Sequence, residues 1–212
     1  MTTVLCFGDS NTWGFDPATQ ARLPREQRWP GVLQALLPAS CQVIEEGLCG
    51  RTTIQDDPFE EGRNGLAYLV PCLASHQPVD LVVLMLGTND VKSFLPYGAA
   101  GIAAGAGRLV EVIRASGRGP SGGAPQVLLV APPPVATARP LTRIWGFDEV
   151  AVQRSRELST YYRAVAESLG CPFLDAGAVV QASPVDGVHL EVPALARLGA
   201  AIAERVRPML GG

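Results

Sequence analysis

The chain has 212 residues, 47% of them hydrophobic and 17% charged, a balance that suits a packed globular core and excludes a disordered or fibrous protein. That length fits a single domain, which buries its apolar surface without staples. The formal net charge of −3, the sequence pI near 5.4 and the lack of any Lys or Arg run argue against nucleic acid or an anionic membrane surface as partner.

The five cysteines are odd in number and form no Cys-x-x-Cys pair, which disfavours a zinc knuckle, a redox dithiol or a disulfide framework. No basic segment followed by a long apolar one precedes Val4, and no apolar run approaches the ~20 residues of a membrane helix. A cytoplasmic protein is the expectation.

Val4-Leu5-Cys6-Phe7, bounded by Gly8, predicts a short buried strand, and Gly8-Asp9-Ser10 the turn that leaves it. A polar loop follows over residues 16–28, then an amphipathic helix over 29–37 stopped by Pro38. Residues 42–45 read as a second strand, and the loop over 46–63 holds Gly50 and the acidic pair Asp56-Asp57. Asn64 is placed to cap a helix running to about His76, with a kink expected at Pro71. The stretch over 80–86, apolar without a break from Leu81 on, predicts a central parallel strand covered on both faces, ended by Gly87-Thr88-Asn89-Asp90.

A small-residue helix spans about 98–116 and breaks at the glycine-rich run 117–123. Residues 126–131 form a fourth strand, ended by Pro132-Pro133-Pro134. Leu158, Tyr161, Tyr162, Val165 and Leu169 then follow helical spacing up to Gly170. Residues 173–175 make a fifth, short strand. A loop with Asp186 and His189 leads to a last helix with Leu195, Leu198, Ile202 and Val206 on one face. This alternation predicts an α/β fold with a parallel sheet of about five strands between helical layers.

The loops after such strands gather at one edge of the sheet, where ligands bind. Ser10, Gly50, Asn89, Asp186 and His189 all fall in those loops. A serine is a weak nucleophile until a base takes its proton, and the chain has only two histidines, His76 and His189. In Asp186-Gly187-Val188-His189 the carboxylate reaches one imidazole nitrogen and leaves the other facing the serine. Taken alone, the same four residues also suit a surface turn at a helix start. His76, before Gln77-Pro78, reads as a helix-terminus histidine.

Acyl transfer also needs donors for an oxyanion. The backbone N–H groups of Ser10 and Gly50 and the Asn89 side chain are candidates, although Asn89 alone is also a turn former. Asp90 reads as a cap or hydrogen-bond acceptor, and Cys49 as a passive lining residue. Gly119-Pro120-Ser121-Gly122-Gly123 fits a Gly-x-Ser-x-Gly elbow in letters only, because a helix precedes it and a strand follows, the reverse of what the elbow needs.

Gly8-Asp9-Ser10, Gly50, Gly87-Thr88-Asn89-Asp90 and Asp186-x-x-His189 together resemble the ordered blocks of the SGNH (GDSL) hydrolase family over nearly the whole chain. The extended pieces over 6–14, 44–48 and 51–53 resemble its bacterial arylesterase/acyltransferase (perhydrolase) branch. The resemblance implies a flavodoxin-like three-layer α/β/α sandwich, with neither metal nor cofactor. It also implies Ser10 as nucleophile, His189 as base, Asp186 as its orienting acid, and Ser10, Gly50 and Asn89 as the oxyanion hole. Asn11 and Gly50 stand where the acyltransferase of that branch has leucine and alanine. A polar Asn11 is expected to wet the pocket mouth and favour hydrolysis over transfer to alcohols.

The expected function is a serine esterase acting on short-chain aryl or alkyl esters through an acyl-enzyme, with acyl transfer as a side activity. A carbohydrate acetylesterase is the nearest alternative. A metal-dependent phosphoesterase and a non-catalytic binding module are remote ones. Asn11, Trp13, Phe15, Lys92, Trp145, Phe147 and Val188 are expected to line the pocket. The long segments over 16–28 and 132–145 are expected to shape its entrance and a homo-oligomer interface.

Overall fold

The apolar runs pair side by side in a computed structural model that describes residues 1–136 and 139–210. In chain order the elements are β1 (Thr2–Gly8), α1 (Ser10–Trp13), α2 (Trp29–Leu36), β2 (Cys41–Gly47), α3 (Gly65–His76) and β3 (Leu81–Met85). They continue with α4 (Ala99–Ala115), β4 (Gln126–Ala131), α5 (Pro140–Arg143), α6 (Glu149–Ser168), β5 (Phe173–Asp175) and α7 (Val192–Leu210). The strands form a five-stranded parallel sheet in the order β2-β1-β3-β4-β5. That is the flavodoxin-like order, in which the chain reverses direction across the sheet between β1 and β3.

Strand side chains alternate between two cores, as the two-residue period requires. Leu5, Phe7, Val82, Leu84, Val127 and Leu129 pack against α3, α4 and α6. Val4, Cys6, Val83, Met85, Leu128 and Val130 pack on the other face against α2 and α7. The result is the three-layer α/β/α sandwich.

The structure extends one strand beyond the pattern read in the sequence, fixes the start of α6, moves one tyrosine off its apolar stripe and leaves Ser121 in the loop expected for it. β2 continues through Glu45 and Glu46 to Gly47, because these residues pair in register with Cys6, Phe7 and Gly8 while the other edge of the strand stays unpaired. α6 starts at Glu149, where the Asp148 carboxylate accepts from the N–H groups of Val150 and Ala151 at 2.9 and 3.2 Å. Tyr161, expected on the apolar stripe of that helix, is 41% exposed, and Tyr162 alone of the pair enters the core. Ser121 sits in a short 3-10 turn between α4 and β4, with no strand before it.

The end of β3 shows how the fold aims the loop after it. The Tyr162 hydroxyl donates to the Leu86 carbonyl at 2.7 Å. Gly87 follows with φ +122, and a Cβ there would lie 2.4 Å from that same hydroxyl. Only glycine fits.

Candidate active site

At the carboxyl end of β1, Asp9 caps the one-turn helix α1, its Oδ1 accepting from the Asn11 N–H at 2.9 Å. Ser10 is therefore the first helical residue, held at the point where the sheet order reverses. His189 arrives from the loop before α7. Its Nε2 lies 2.9 Å from Ser10 Oγ and its Nδ1 lies 2.6 Å from Asp186 Oδ2. The other oxygen of Asp186 accepts from the N–H groups of Val188 and His189 at 2.9 and 3.0 Å, and Thr142 Oγ1 donates to the Asp186 carbonyl at 3.0 Å.

Burial would raise the Asp186 carboxyl. The hydrogen bond and charge of His189, with the two backbone N–H groups, outweigh it and hold the carboxyl below its usual range. Phe15 covers the imidazole, the ring centroids 4.1 Å apart.

Asn89 follows β3. Its Nδ2 donates to the Arg51 carbonyl at 3.1 Å, which leaves the second amide hydrogen free to serve the cavity. Asp90 turns inward, accepting from the Thr53 hydroxyl at 2.6 Å, the Thr53 N–H and Gln55 Nε2, and so ties the loop after β2 to the end of β3. The Arg51 guanidinium braces the same junction. It lies 4.3 Å from the centroid of the Phe7 ring and donates to the carbonyls of Gly8 and Glu46. Gly50 adopts φ +80, and a Cβ there would sit 2.9 Å from Glu60 Oε2 and 3.0 Å from Arg63 Nε. An alanine at this position would meet both a strained backbone and the Arg63–Glu60 ion pair.

These groups open onto a cavity of about 660 Å³ whose wall includes Ser10, Gly50, Asn89 and His189. Of the residues expected around it, Phe15, Lys92, Trp145 and Phe147 line it, as does Cys49. Asn11, Trp13 and Val188 do not. Asn11 is 1% exposed and its Oδ1 accepts from the Leu190 N–H at 3.1 Å, so it props the His189 loop from below and leaves the pocket mouth no wetter. Trp13 turns away beneath Arg22, whose guanidinium is 5.1 Å from the ring centroid. Val188 is buried in the core and contributes its N–H to Asp186.

The loop over 16–28 is also displaced from its expected place at the entrance. Arg22, Arg25 and Arg28 all pair with Glu45 of the edge strand, and none of its residues reaches the cavity. From the other long segment, Arg143, Ile144 and Trp145 line the cavity, and positions 137 and 138 lie outside the described residues. The sequence reading missed Asp57, Phe59 and Phe94. Asp57 accepts from Lys92 Nζ at 3.0 Å, so the one buried ammonium of the wall is already paired. Burial works against the Asp57 charge, yet the Phe59 N–H and Lys92 hold its carboxyl below the usual range. Phe59 and Phe94 meet edge to face at 4.9 Å on the rim. The acidic pair Asp56-Asp57 was visible in the sequence, but nothing in it signalled the partner 35 residues on.

Asp9 has a second feature. It is wholly buried, its Oδ2 has no partner within hydrogen-bond geometry among the described residues, and burial pushes its carboxyl up to about 6 despite the Asn11 N–H, the Thr88 hydroxyl and the nearby His189.

Residues 6–193 match the model of the GDSL-like lipase/acylhydrolase family. The chain belongs to this family of ester hydrolases. The GDSL-like chain is similar to the aryl esterase of M. smegmatis, at 42% identity and a TM-score of 0.93, over 99% of this chain and 100% of that one. It is equally similar to a carbohydrate acetylesterase from Sinorhizobium meliloti, again at 42% identity and TM-score 0.93 over 99% and 100% of the two chains. Comparison with curated proteins gave no match. Among the described residues of this hydrolase, no helix is long and apolar enough to cross a membrane.

Proposed function

We propose that this hydrolase cleaves short-chain carboxylic esters through an acyl-enzyme on Ser10. The reading rests on the continuous path Asp186 Oδ2–His189 Nδ1 and His189 Nε2–Ser10 Oγ, at 2.6 and 2.9 Å, opening onto a cavity. His189 takes the Ser10 proton as Oγ bonds to the carbonyl carbon. The oxyanion that forms is held by the N–H groups of Ser10 and Gly50 and by Asn89 Nδ2. Collapse breaks the ester C–O bond, and the leaving alcohol or phenol takes the proton from His189. Water then attacks the acyl group, losing a proton to His189, and the acid departs as the proton returns to Ser10.

Water is the proposed main acceptor, because the Arg63–Glu60 ion pair places charge open to solvent beside Gly50. Transfer to an alcohol is the side reaction. The phenyl and indole groups at the rim suit aryl and small alkyl leaving groups. The similarity to a carbohydrate acetylesterase supports a second reading, with acetylated sugars as substrates. One panel separates them: p-nitrophenyl acetate, longer p-nitrophenyl esters and acetylated xylose, each with and without added alcohol. The account expects p-nitrophenyl acetate to be turned over fastest and Ser10→Ala to lose all activity. Faster deacetylation of the sugar would favour the second reading, and a predominance of transfer product would refute water as acceptor.

The same reading takes the chain as one hydrolase domain. It keeps the protein in the cytoplasm, in line with five free thiols. It also proposes a homo-oligomer joined near the exposed Leu141. A light-scattering mass of 22.3 kDa, that of one chain, would refute the oligomer.

A further inference from the structure

Outside the cavity, one cluster of side chains has donor chemistry that the hydrolytic reading does not use. Tyr68, Cys72 and His76 recur every four residues along α3 and so share one face of the helix. Opposite them stands Glu46, near the end of β2. Its Oε1 lies 2.7 Å from His76 Nε2, and its Oε2 accepts from the Tyr68 hydroxyl at 3.2 Å. One oxygen of Glu46, Cys72 Sγ and a ring nitrogen of His76 all lie within 4.8 Å of one another. None of the three residues lines the active-site cavity.

We propose that Glu46, Cys72 and His76 form a binding site for a zinc-class divalent ion, with a fourth position left to solvent. Three points this close need to move by less than about 1 Å to reach the bond lengths of about 2.0–2.3 Å that zinc takes with oxygen, nitrogen and sulfur. A thiolate, an imidazole and a carboxylate together suit zinc or cobalt, whereas calcium and magnesium take oxygen ligands. The Tyr68 hydroxyl holds the second carboxylate oxygen and so aims the first, as hydrogen bonds behind metal ligands do. Cys72 is 1% exposed, whereas the His76 and Glu46 side chains are 28% and 19% exposed, so an ion enters from their side. On binding, the Cys72 thiol releases its proton to solvent and the His76–Glu46 contact is replaced by two metal bonds.

The Arg51 guanidinium, 5.1 Å from the centroid of the Tyr68 ring, opposes the incoming charge. The site is accordingly weaker than a closed four-ligand structural one. A bound ion ties the end of β2 to α3. It therefore acts as a brace beside the loop that carries Gly50, apart from the chemistry at Ser10.

The test uses the full chain stripped of metal and titrated with cobalt, then with zinc. The expected result is one equivalent of cobalt bound, with a thiolate-to-cobalt charge-transfer band that zinc abolishes. Zinc alone should raise the thermal midpoint of the wild type. His76→Gln, at a partly exposed position, should weaken binding by at least about tenfold and remove the thermal shift. Cys72→Ser should lose the band, and Cys49→Ser should keep it. If Cys72→Ser does not fold, His76→Gln decides alone. No charge-transfer band in the wild type, or an undiminished band in His76→Gln, would overturn the proposal. So would loss of the band in Cys49→Ser.

Discussion

At the carboxyl ends of β1 and β3 the candidate catalytic side chains are held from more than one direction, whereas at the cavity rim large apolar side chains stand in solvent. Ser10, Asn89 and His189 are 4%, 5% and 7% exposed. Phe59 and Ile144 are 75% and 76% exposed. Asp186 fixes His189 through both ring and backbone, Asn11 fixes the residue after it, and the Arg51 carbonyl fixes Asn89. Among the described residues Phe59 has one aromatic neighbour, Phe94. The difference separates two tasks. On the proposed reading, bond making sits where the scaffold over-determines position, and choice of substrate sits where side chains are free to adapt. Changes in the first region should act on kcat and changes in the second on KM.

The largest expected effect is Ser10→Ala, which should lower kcat by up to about 10⁶, the scale for loss of a triad nucleophile. Steady-state hydrolysis of p-nitrophenyl acetate measures it. Asp186→Asn should cost about 10⁴ in kcat, because the imidazole loses the partner that sets its tautomer. The same carboxyl gives a pH signature in stability. Its folded value is depressed, so its contribution is full above the unfolded value near 3.9 and is lost as pH falls through the folded one. Denaturant midpoints of wild type and Asp186→Asn should therefore converge in acid. Midpoints that stay apart there would show that the carboxylate is not what stabilises the loop. Asn89→Ala should lower kcat by about 10²–10³, the scale for one oxyanion donor.

Asp9→Asn turns the comparison on stability. The Asp9 carboxyl is raised to about 6, so the stability it allows is present below about 4 and is lost as pH climbs through 6. Asparagine keeps the cap of α1 and cannot ionise, so the variant should be more stable at pH 7.5 by at most about 3 kcal/mol, with no gain at pH 4. Equal gains at both pH values would mean that ionisation of Asp9 is not the cause. The smallest effect belongs to the rim. Phe59→Ala or Ile144→Ala should raise KM by about three- to tenfold with kcat within a factor of two, as expected for partial loss of apolar contact. A fall in kcat that exceeds the rise in KM would erase the division between the two regions.

What the sequence revealed follows the same division. The strands were legible because β3 and β4 are buried on both faces and so read as unbroken apolar runs. The meeting of Ser10, Asp186 and His189 was legible because a serine nucleophile demands a histidine, only two were present, and the ordered motifs resemble those of the family. The rim was not. Whether Phe59 meets Phe94, or Lys92 meets Asp57, depends on loops 35 residues apart and leaves no local pattern. The direction of Asn11 was hidden for a similar reason, since a one-turn helix has no periodicity to read and its partner Leu190 is 179 residues away. The Glu46, Cys72 and His76 cluster escaped because its two histidine and cysteine members were read one at a time, and Glu46 lies on another element.

The most direct test of the account is to quench turnover of p-nitrophenyl acetate with acid and map the acetyl group by peptide mass spectrometry. The account expects an acetyl on the peptide carrying Ser10, formed at the rate of p-nitrophenol release and absent in His189→Ala. Cys49 and Ser93 also line the cavity. Acetyl on either of them instead, or steady turnover with no adduct on Ser10, would contradict it.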